Sequence, residues 1–281
     1  RLGICRSILL SYGVLIMIIR AMRPCDQGLR LARGALIALV SIIFATVAAA
    51  DNSLCDLPVV EQAAVSALID GSTFELADGR EVRLASVLVP RGREPHASAG
   101  AEELTARIAG RTVGLALDEQ AIDRHGRLLA QVFVDGVWVQ RAMVAAGAAR
   151  VRTLPGGRRC AGPLLEEEEK ARTAKRGLWA LPEYRLRGVA DLDADIGTFQ
   201  IVEGTVVAVA ASRGRVFLNF GADYRSDFTI TIAPRDRKRL AKDGVVPESW
   251  SGKRIRARGW LSRLNGPELE LTHPEQIQIV E

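Results

Sequence analysis

Two Asp-Gly pairs, Asp78-Gly79 and Asp135-Gly136, each set between short runs of apolar and β-branched residues, constrain this chain more than any other feature. Asp and Gly tolerate the positive φ that a tight hairpin turn requires, and such a turn matches the right-handed twist of paired strands. Each pair therefore predicts an antiparallel hairpin. Around them, strands are expected over 59–69, 73–76 and 81–87, followed by a loop over 88–96 that holds Pro90, Gly92 and Pro95. A helix over 97–109 stops at Gly110, a C-cap. Strands over 112–117, 127–134 and 137–139 come next, then a short helix over 140–146 closed by Gly147. The last helix of this half opens at Pro163, carries Glu166, Glu167, Glu168 and Glu169 early, and ends near Lys175 and Arg176, the polarity its dipole favours. With Glu166 four residues from Lys170 and Glu168 four from Arg172, the acidic run reads as a solvated helix face rather than a metal site.

Residues 182–198 lack a period and read as a linker. Beyond it, strands are expected over 200–210, 216–220, 229–233, 254–261, 268–272 and 276–280, with a helix over 235–242 between the third and fourth. Three strands, a helix, then two or three strands is the order of an oligonucleotide-binding (OB) barrel, and the first half has the same order. Arg254, Arg256 and Arg258 alternate along one strand, so they share a face that Trp260 continues. Cations beside an aromatic ring on such a barrel are candidates for single-stranded nucleic acid. The competing reading is the solvated side of a barrel.

The formal charge of +5 suggests a polyanion partner, but residues 1–50 hold six arginines against the single acid Asp26. Setting them aside leaves 32 basic and 32 acidic residues of the original 38 and 33, so any anion site must be a local patch. The basic excess belongs to a leader. Met22, Arg23, Arg30 and Arg33 precede an apolar run over 34–47, and Ala48, Ala49 and Ala50 supply a small-residue cleavage site, the layout of a signal peptide over 22–50. Residues 1–21 read as an upstream extension. The run is shorter than the ~20 residues of a spanning helix. An uncleaved anchor is the competing reading, and the one route to a membrane; otherwise the protein is periplasmic or secreted. Export leaves Cys55 and Cys160 as an even pair in an oxidising compartment, which predicts a disulfide.

Three segments in order, IDGSTFEL with VRL (69–84), DRHGRLLAQVF with DGVWVQ (123–140) and RGLW (176–179), resemble the staphylococcal nuclease (thermonuclease) family over 57–181. The resemblance implies a five-stranded OB barrel with three helices over 57–181; with the element order beyond the linker, the expected fold is α+β, mostly β, with a smaller OB-like barrel over 199–281. The resemblance also implies calcium-assisted phosphodiester hydrolysis. The family's site uses an Asp in an Asp-Gly-Asp-Thr turn, an Asp and a Glu in a second loop, and two phosphate-clamping arginines. Here the turn reads Asp70-Gly71-Ser72-Thr73 and the loop Leu88-Val89-Pro90-Arg91, so Ser72, Leu88 and Arg91 stand at the three carboxylate positions. Arg83 and Arg127 match the two arginines.

Replacing three carboxylates in this way inverts the sign of the pocket, because calcium wants six to eight oxygens with carboxylates among them. No cofactor is expected, and Arg83, Arg127 and Arg91 become a candidate site for a phosphate or another anion, single-stranded nucleic acid included. Asp70, Glu94 and Asp123 are the acids from which a substituted calcium shell, and with it a metal-dependent phosphodiesterase, would have to be built. A cell-envelope module that recognises protein is the third reading. His96, His125 and His273 show no zinc spacing.

Overall fold

The first three strands, β1 (Val59–Asp70), β2 (Thr73–Leu76) and β3 (Glu81–Leu84), form an antiparallel meander whose second turn is Asp78-Gly79, with Gly79 at φ 84°. The computed structural model describes residues 55–280, and the leader expectations lie outside them. The run expected as one strand over 81–87 ends at Leu84, because Ser86 turns left-handed at φ 63°. The chain then leaves the barrel as β4 (Val87–Leu88). After α1 (Ala97–Ile108) come β5 (Thr112–Ile122), β6 (Leu128–Val134), β7 (Val137–Trp138), α2 (Val139–Ala145), β8 (Arg150–Val151) and α3 (Ala161–Thr173). Strands pair around the ring β1-β2-β3-β6-β5, closed by the parallel pairing of β3 with β6, which is the five-stranded OB barrel. Phe74, Leu76, Val82, Leu84, Leu115 and Val132 fill it, and Leu104 and Ile108 of α1 join the same core. Burying each of these side chains contributes about 1.5–3 kcal/mol.

Two details explain sequence features outside the barrel. Gly147, after α2, and Gly177 of the RGLW segment approach so closely that a Cβ on Gly147 would lie 2.1 Å from the Arg176 carbonyl oxygen, which is why both are glycine. Cys55 and Cys160 form a disulfide with Cα atoms 4.8 Å apart.

The expected linker is packed rather than free. Single-turn helices at Pro182–Tyr184 and Leu192–Asp195 bury Tyr184 and Leu192, and the Tyr184 hydroxyl donates to the Pro95 carbonyl at 2.6 Å. The second barrel then runs β9 (Phe199–Thr205), β10 (Ala208–Ser212), β11 (Arg215–Asn219), β12 (Thr229–Ile232), α4 (Pro234–Lys242), β13 (Arg254–Leu264), β14 (Gly266–Glu270) and β15 (Ile277–Ile279). The single strand expected over 200–210 is split where Val206 and Val207 donate to opposite neighbours, Lys253 at 3.0 Å and Asn219 at 2.8 Å. That kink lets β9 pair with β13 and β10 with β11, while β12 and β14 run parallel, so the OB order repeats.

Residues of both barrels belong to one compact unit. Arg258, 3% exposed, bonds to Glu168 of α3 at 2.6 Å and to the Val151 carbonyl at 3.2 Å. Arg158 pairs with Asp243 at 2.7 Å, and Arg150 donates to the Phe199 carbonyl at 2.7 Å. The acidic run of α3 is thus only partly the solvated face expected, since Glu167 and Glu168 are buried. Its helical ion pairs are Glu167 with Lys170 and Glu169 with Arg172, one residue off the expected spacing.

His273 sits in this junction, 2% exposed, between the Thr153 hydroxyl at 2.7 Å and the Thr272 hydroxyl at 2.8 Å. Burial, then the charges of Arg158, Arg239 and Arg152, lower its pKa from 6.5 to about 4. The folded protein therefore holds a neutral ring where the unfolded chain takes up a proton, so stability is intact above about pH 6.5 and is lost as pH falls towards 4. The loss across that window is ~3 kcal/mol. Urea unfolding at both pH values should show it in the wild type and not in His273→Gln; equal slopes in the two proteins would contradict this assignment.

Candidate functional site

Each of the three candidate acids, Asp70, Glu94 and Asp123, already has a partner. Asp70 accepts the Ser72 backbone N–H at 2.7 Å and the Ser72 hydroxyl at 2.9 Å, which shapes the turn between β1 and β2. Glu94 accepts the Arg91 backbone N–H at 2.9 Å and closes its own loop. Asp123 accepts the backbone N–H groups of His125 at 2.8 Å and Arg127 at 3.1 Å, and the Arg127 Nε–H at 2.8 Å. Burial opposes ionisation of Asp123, but the hydrogen bonds from Arg127 and His125 outweigh it and hold the carboxyl below its usual value.

Leu88 is buried and brings only methyl groups, Ser72 is buried with its hydroxyl turned to Asp70, and Arg91 brings a cation. These donors do not fit the oxygen-rich shell that calcium needs. Among the described residues no three His, Cys, Asp or Glu side chains are grouped to hold a metal.

What the motif residues do assemble is a cationic cleft of about 430 Å³. Arg83 of β3, Arg91 beyond β4, Arg124 and Arg127 of the β5–β6 turn, and Arg152 beyond β8 line it, with Asp123 as the carboxylate among them. The elements explain the convergence. Arg83 is fixed by pairing with Thr73 and Leu129, and the short antiparallel β4–β8 ladder continues with the Arg152 N–H donating to the Ser86 carbonyl at 2.9 Å, which sets Arg152 beside the end of β3. Sequence reasoning missed Arg152, because it lies in none of the family segments and reaches the cleft through that ladder alone.

The charges are poorly compensated. Arg127 is paired with Asp123, whereas the side chains of Arg83, Arg91 and Arg152 have no ion pair among the described residues. Burial and then the charges of Arg127 and Arg91 make Arg83 easier to deprotonate than an ordinary arginine, against partial support from Asp70 and Asp123. For Arg152 burial acts first, and Arg83, Arg91 and Arg124 all add to it. A site in which cations destabilise one another is one in which an anion is welcome: one unit charge ~4 Å from another is worth ~4 kcal/mol at an effective dielectric of 20.

In the second barrel each guanidinium of the arginine stripe has an acidic partner. The face exists in the expected register; Arg256 and Arg258 reach acids of the first barrel, while Arg254 stays exposed and pairs within the second. Arg254 pairs with Glu203 at 2.6 Å, Arg256 with Glu203 at 2.8 Å and Glu169 at 2.7 Å, and Arg258 with Glu168. Among the basic residues of α4, Arg235 and Arg239 pair with Asp236 and Arg237 with Glu248. On the same strand face Trp260 is open, 44% exposed, and it lines the same cleft as Arg83 and Arg152.

Comparison with known proteins agrees with this architecture. The family model described as "Staphylococcal nuclease homologue" matches residues 81–181. The probable staphylococcal-like nuclease CAN1 of Oryza sativa subsp. japonica is 29% identical over 105 residues, which cover 37% of this chain and 30% of that protein. An uncharacterized 38.1 kDa protein of Capnoides sempervirens is 32% identical over 106 residues, again 37% of this chain and 30% of the relative. The chain thus spans under a third of the length of either relative.

Proposed function

From the staphylococcal nuclease-like domain that this chain carries, we propose a protein that binds a phosphate-bearing anion in its nuclease-type cleft without hydrolysing it. The carrying observation is the trio Arg83, Arg91 and Arg152, gathered in one cleft with no ion pair among the described residues, in a chain that has Ser72, Leu88 and Arg91 where the family resemblance implies carboxylates. A guanidinium offers a planar fork that matches phosphate oxygens, and it holds its charge at any physiological pH. Hydrolysis needs a group to activate water, and Asp70, Glu94 and Asp123 are each committed to a hydrogen bond that shapes the loop or turn they occupy. Export to a periplasmic or extracellular location belongs to the same reading and is supported by the disulfide, since such bonds are rare in reducing compartments.

Full-length protein incubated with a single-stranded DNA octamer should bind it and leave it intact in calcium and in EDTA alike. With three phosphate contacts, from Arg83, Arg91 and Arg152, the affinity should fall with salt at a logarithmic slope of about −2, roughly 15-fold between 50 and 200 mM. Arg152→Ala should weaken binding ~10-fold or more. EDTA-sensitive cleavage lost in Arg127→Ala would establish the metal-dependent phosphodiesterase instead, and the absence of any salt-dependent binding would favour the protein-recognition module.

A further inference from the structure

We infer that the binding site is composite, built from both barrels, and that its ligand is a single-stranded oligonucleotide whose phosphates lie along Arg83, Arg91 and Arg152 while a base stacks on Trp260 of the second barrel. This rests on the anion reading above and names its ligand class.

Trp260 is out of place as a structural residue. The other tryptophans, Trp138, Trp179 and Trp250, are each 6% exposed, whereas Trp260 is 44% exposed. A large ring left open in a cleft forgoes the stabilisation that its burial would give. Its position is nevertheless fixed. Trp260 is paired in register with Phe199, whose ring meets it edge-on at 6.2 Å, and two residues earlier on β13 the Arg258–Glu168 bond fastens the strand to the first barrel. The ring is therefore held in place before any ligand arrives, which limits the ordering cost of binding.

The cleft does not stop at the first barrel. The 430 Å³ arginine cleft shares Leu88, Arg91 and Trp260 with a neighbouring cleft of about 170 Å³ that continues past Tyr184 and Thr198. On its other side it shares Arg152, Leu154 and Trp260 with one of about 320 Å³ that reaches Thr272 and His273. Trp260 is thus the point where three clefts meet. A lone inorganic phosphate would use the guanidiniums and leave the ring idle. A duplex keeps its bases paired and stacked on each other. Exposed phosphates together with unstacked planar bases describe a single strand, and sequence-tolerant stacking on an aromatic ring is how such strands are held.

The test compares two octamers with the same number of phosphates, oligothymidylate and its abasic phosphodeoxyribose counterpart, on full-length wild type, Trp260→Ala and Trp260→Phe. Trp260→Ala should lose ~10-fold or more in affinity for oligothymidylate and less than about twofold for the abasic strand. Trp260→Phe, which keeps a ring and guards against a folding artefact, should stay within about threefold of wild type on oligothymidylate. In the wild type, oligothymidylate should quench the exposed fraction of tryptophan fluorescence, and the abasic strand should not. If Trp260→Ala binds both octamers as wild type does, or loses equally on both, the composite site is wrong while the anion reading stands. If the wild type binds neither octamer, the anion reading itself fails and takes this inference with it.

Discussion

Glu168→Ala is expected to cost about 3–5 kcal/mol of stability, although Glu168 touches neither the cleft nor a ligand. The residue is 0% exposed, and one oxygen accepts the Val151 N–H at 2.6 Å while the other meets Arg258 at 2.6 Å. Removing the carboxylate leaves a buried guanidinium with the Val151 carbonyl at 3.2 Å as its remaining acceptor, and strips a buried backbone donor of its partner. A lone buried charge is far less favourable than the intact pair. Glu168→Gln keeps an acceptor for Val151 and should lose less than alanine does. Arg258→Met should approach the loss of Glu168→Ala. In the double variant Arg258→Met with Glu168→Gln the losses should be less than additive by ~2 kcal/mol, because the second change removes the charge that the first left unpaired. Urea unfolding of the wild type and the four variants, followed by tryptophan fluorescence, measures the cycle and the alanine loss; a loss below ~1 kcal/mol for Glu168→Ala would mean that the junction does not depend on this pair.

The same pair marks the boundary of what could be read from the sequence. Hairpins at Asp78-Gly79 and Asp135-Gly136 were legible because their chemistry is local, and the order of strands around α1 and α4 followed from counting elements. The period of two along β13 placed Arg254, Arg256, Arg258 and Trp260 on one face, as the structure has them. What that face meets was not legible, since Glu168 lies 90 residues from Arg258 in the chain. For the same reason four successive glutamates looked like solvated helix surface. The linker expected over 182–198 hid its packing because a single helical turn buries one residue, Tyr184 or Leu192, and leaves no period to detect. Ser86 ended β3 early through a left-handed backbone that its residue type does not announce. In the candidate site Arg83, Arg91 and Arg127 stood in motif segments, whereas Arg152 enters through the pairing of β4 with β8, two strands of two residues each.

Reduction of the Cys55–Cys160 bond should be the other large perturbation. The bridge spans a sequence separation of 105, so in the chain-entropy picture its loss releases a long loop in the unfolded state and lowers stability by ~4–5 kcal/mol. Its position adds a native-state reason. Cys55 precedes β1, the strand that pairs with both β2 and β5, and Cys160 is the N-cap of α3, the helix that carries Glu168. The bond thus couples the opening strand of the first barrel to the helix that anchors the second. Both sulfurs are buried, so reduction places two thiols where solvent cannot compensate them. With a urea dependence of ~2–3 kcal/mol per molar for a domain of this size, the unfolding midpoint in excess dithiothreitol should fall by about 1.5–2 M. Cys55→Ala with Cys160→Ala should reproduce the shift without reductant, which separates the cross-link from any side effect of the reagent. Identical midpoints for oxidised and reduced protein would remove the bond from the stability argument. They would also withdraw the main structural support for export, because a fold that holds as well without its cross-link has no need of an oxidising compartment.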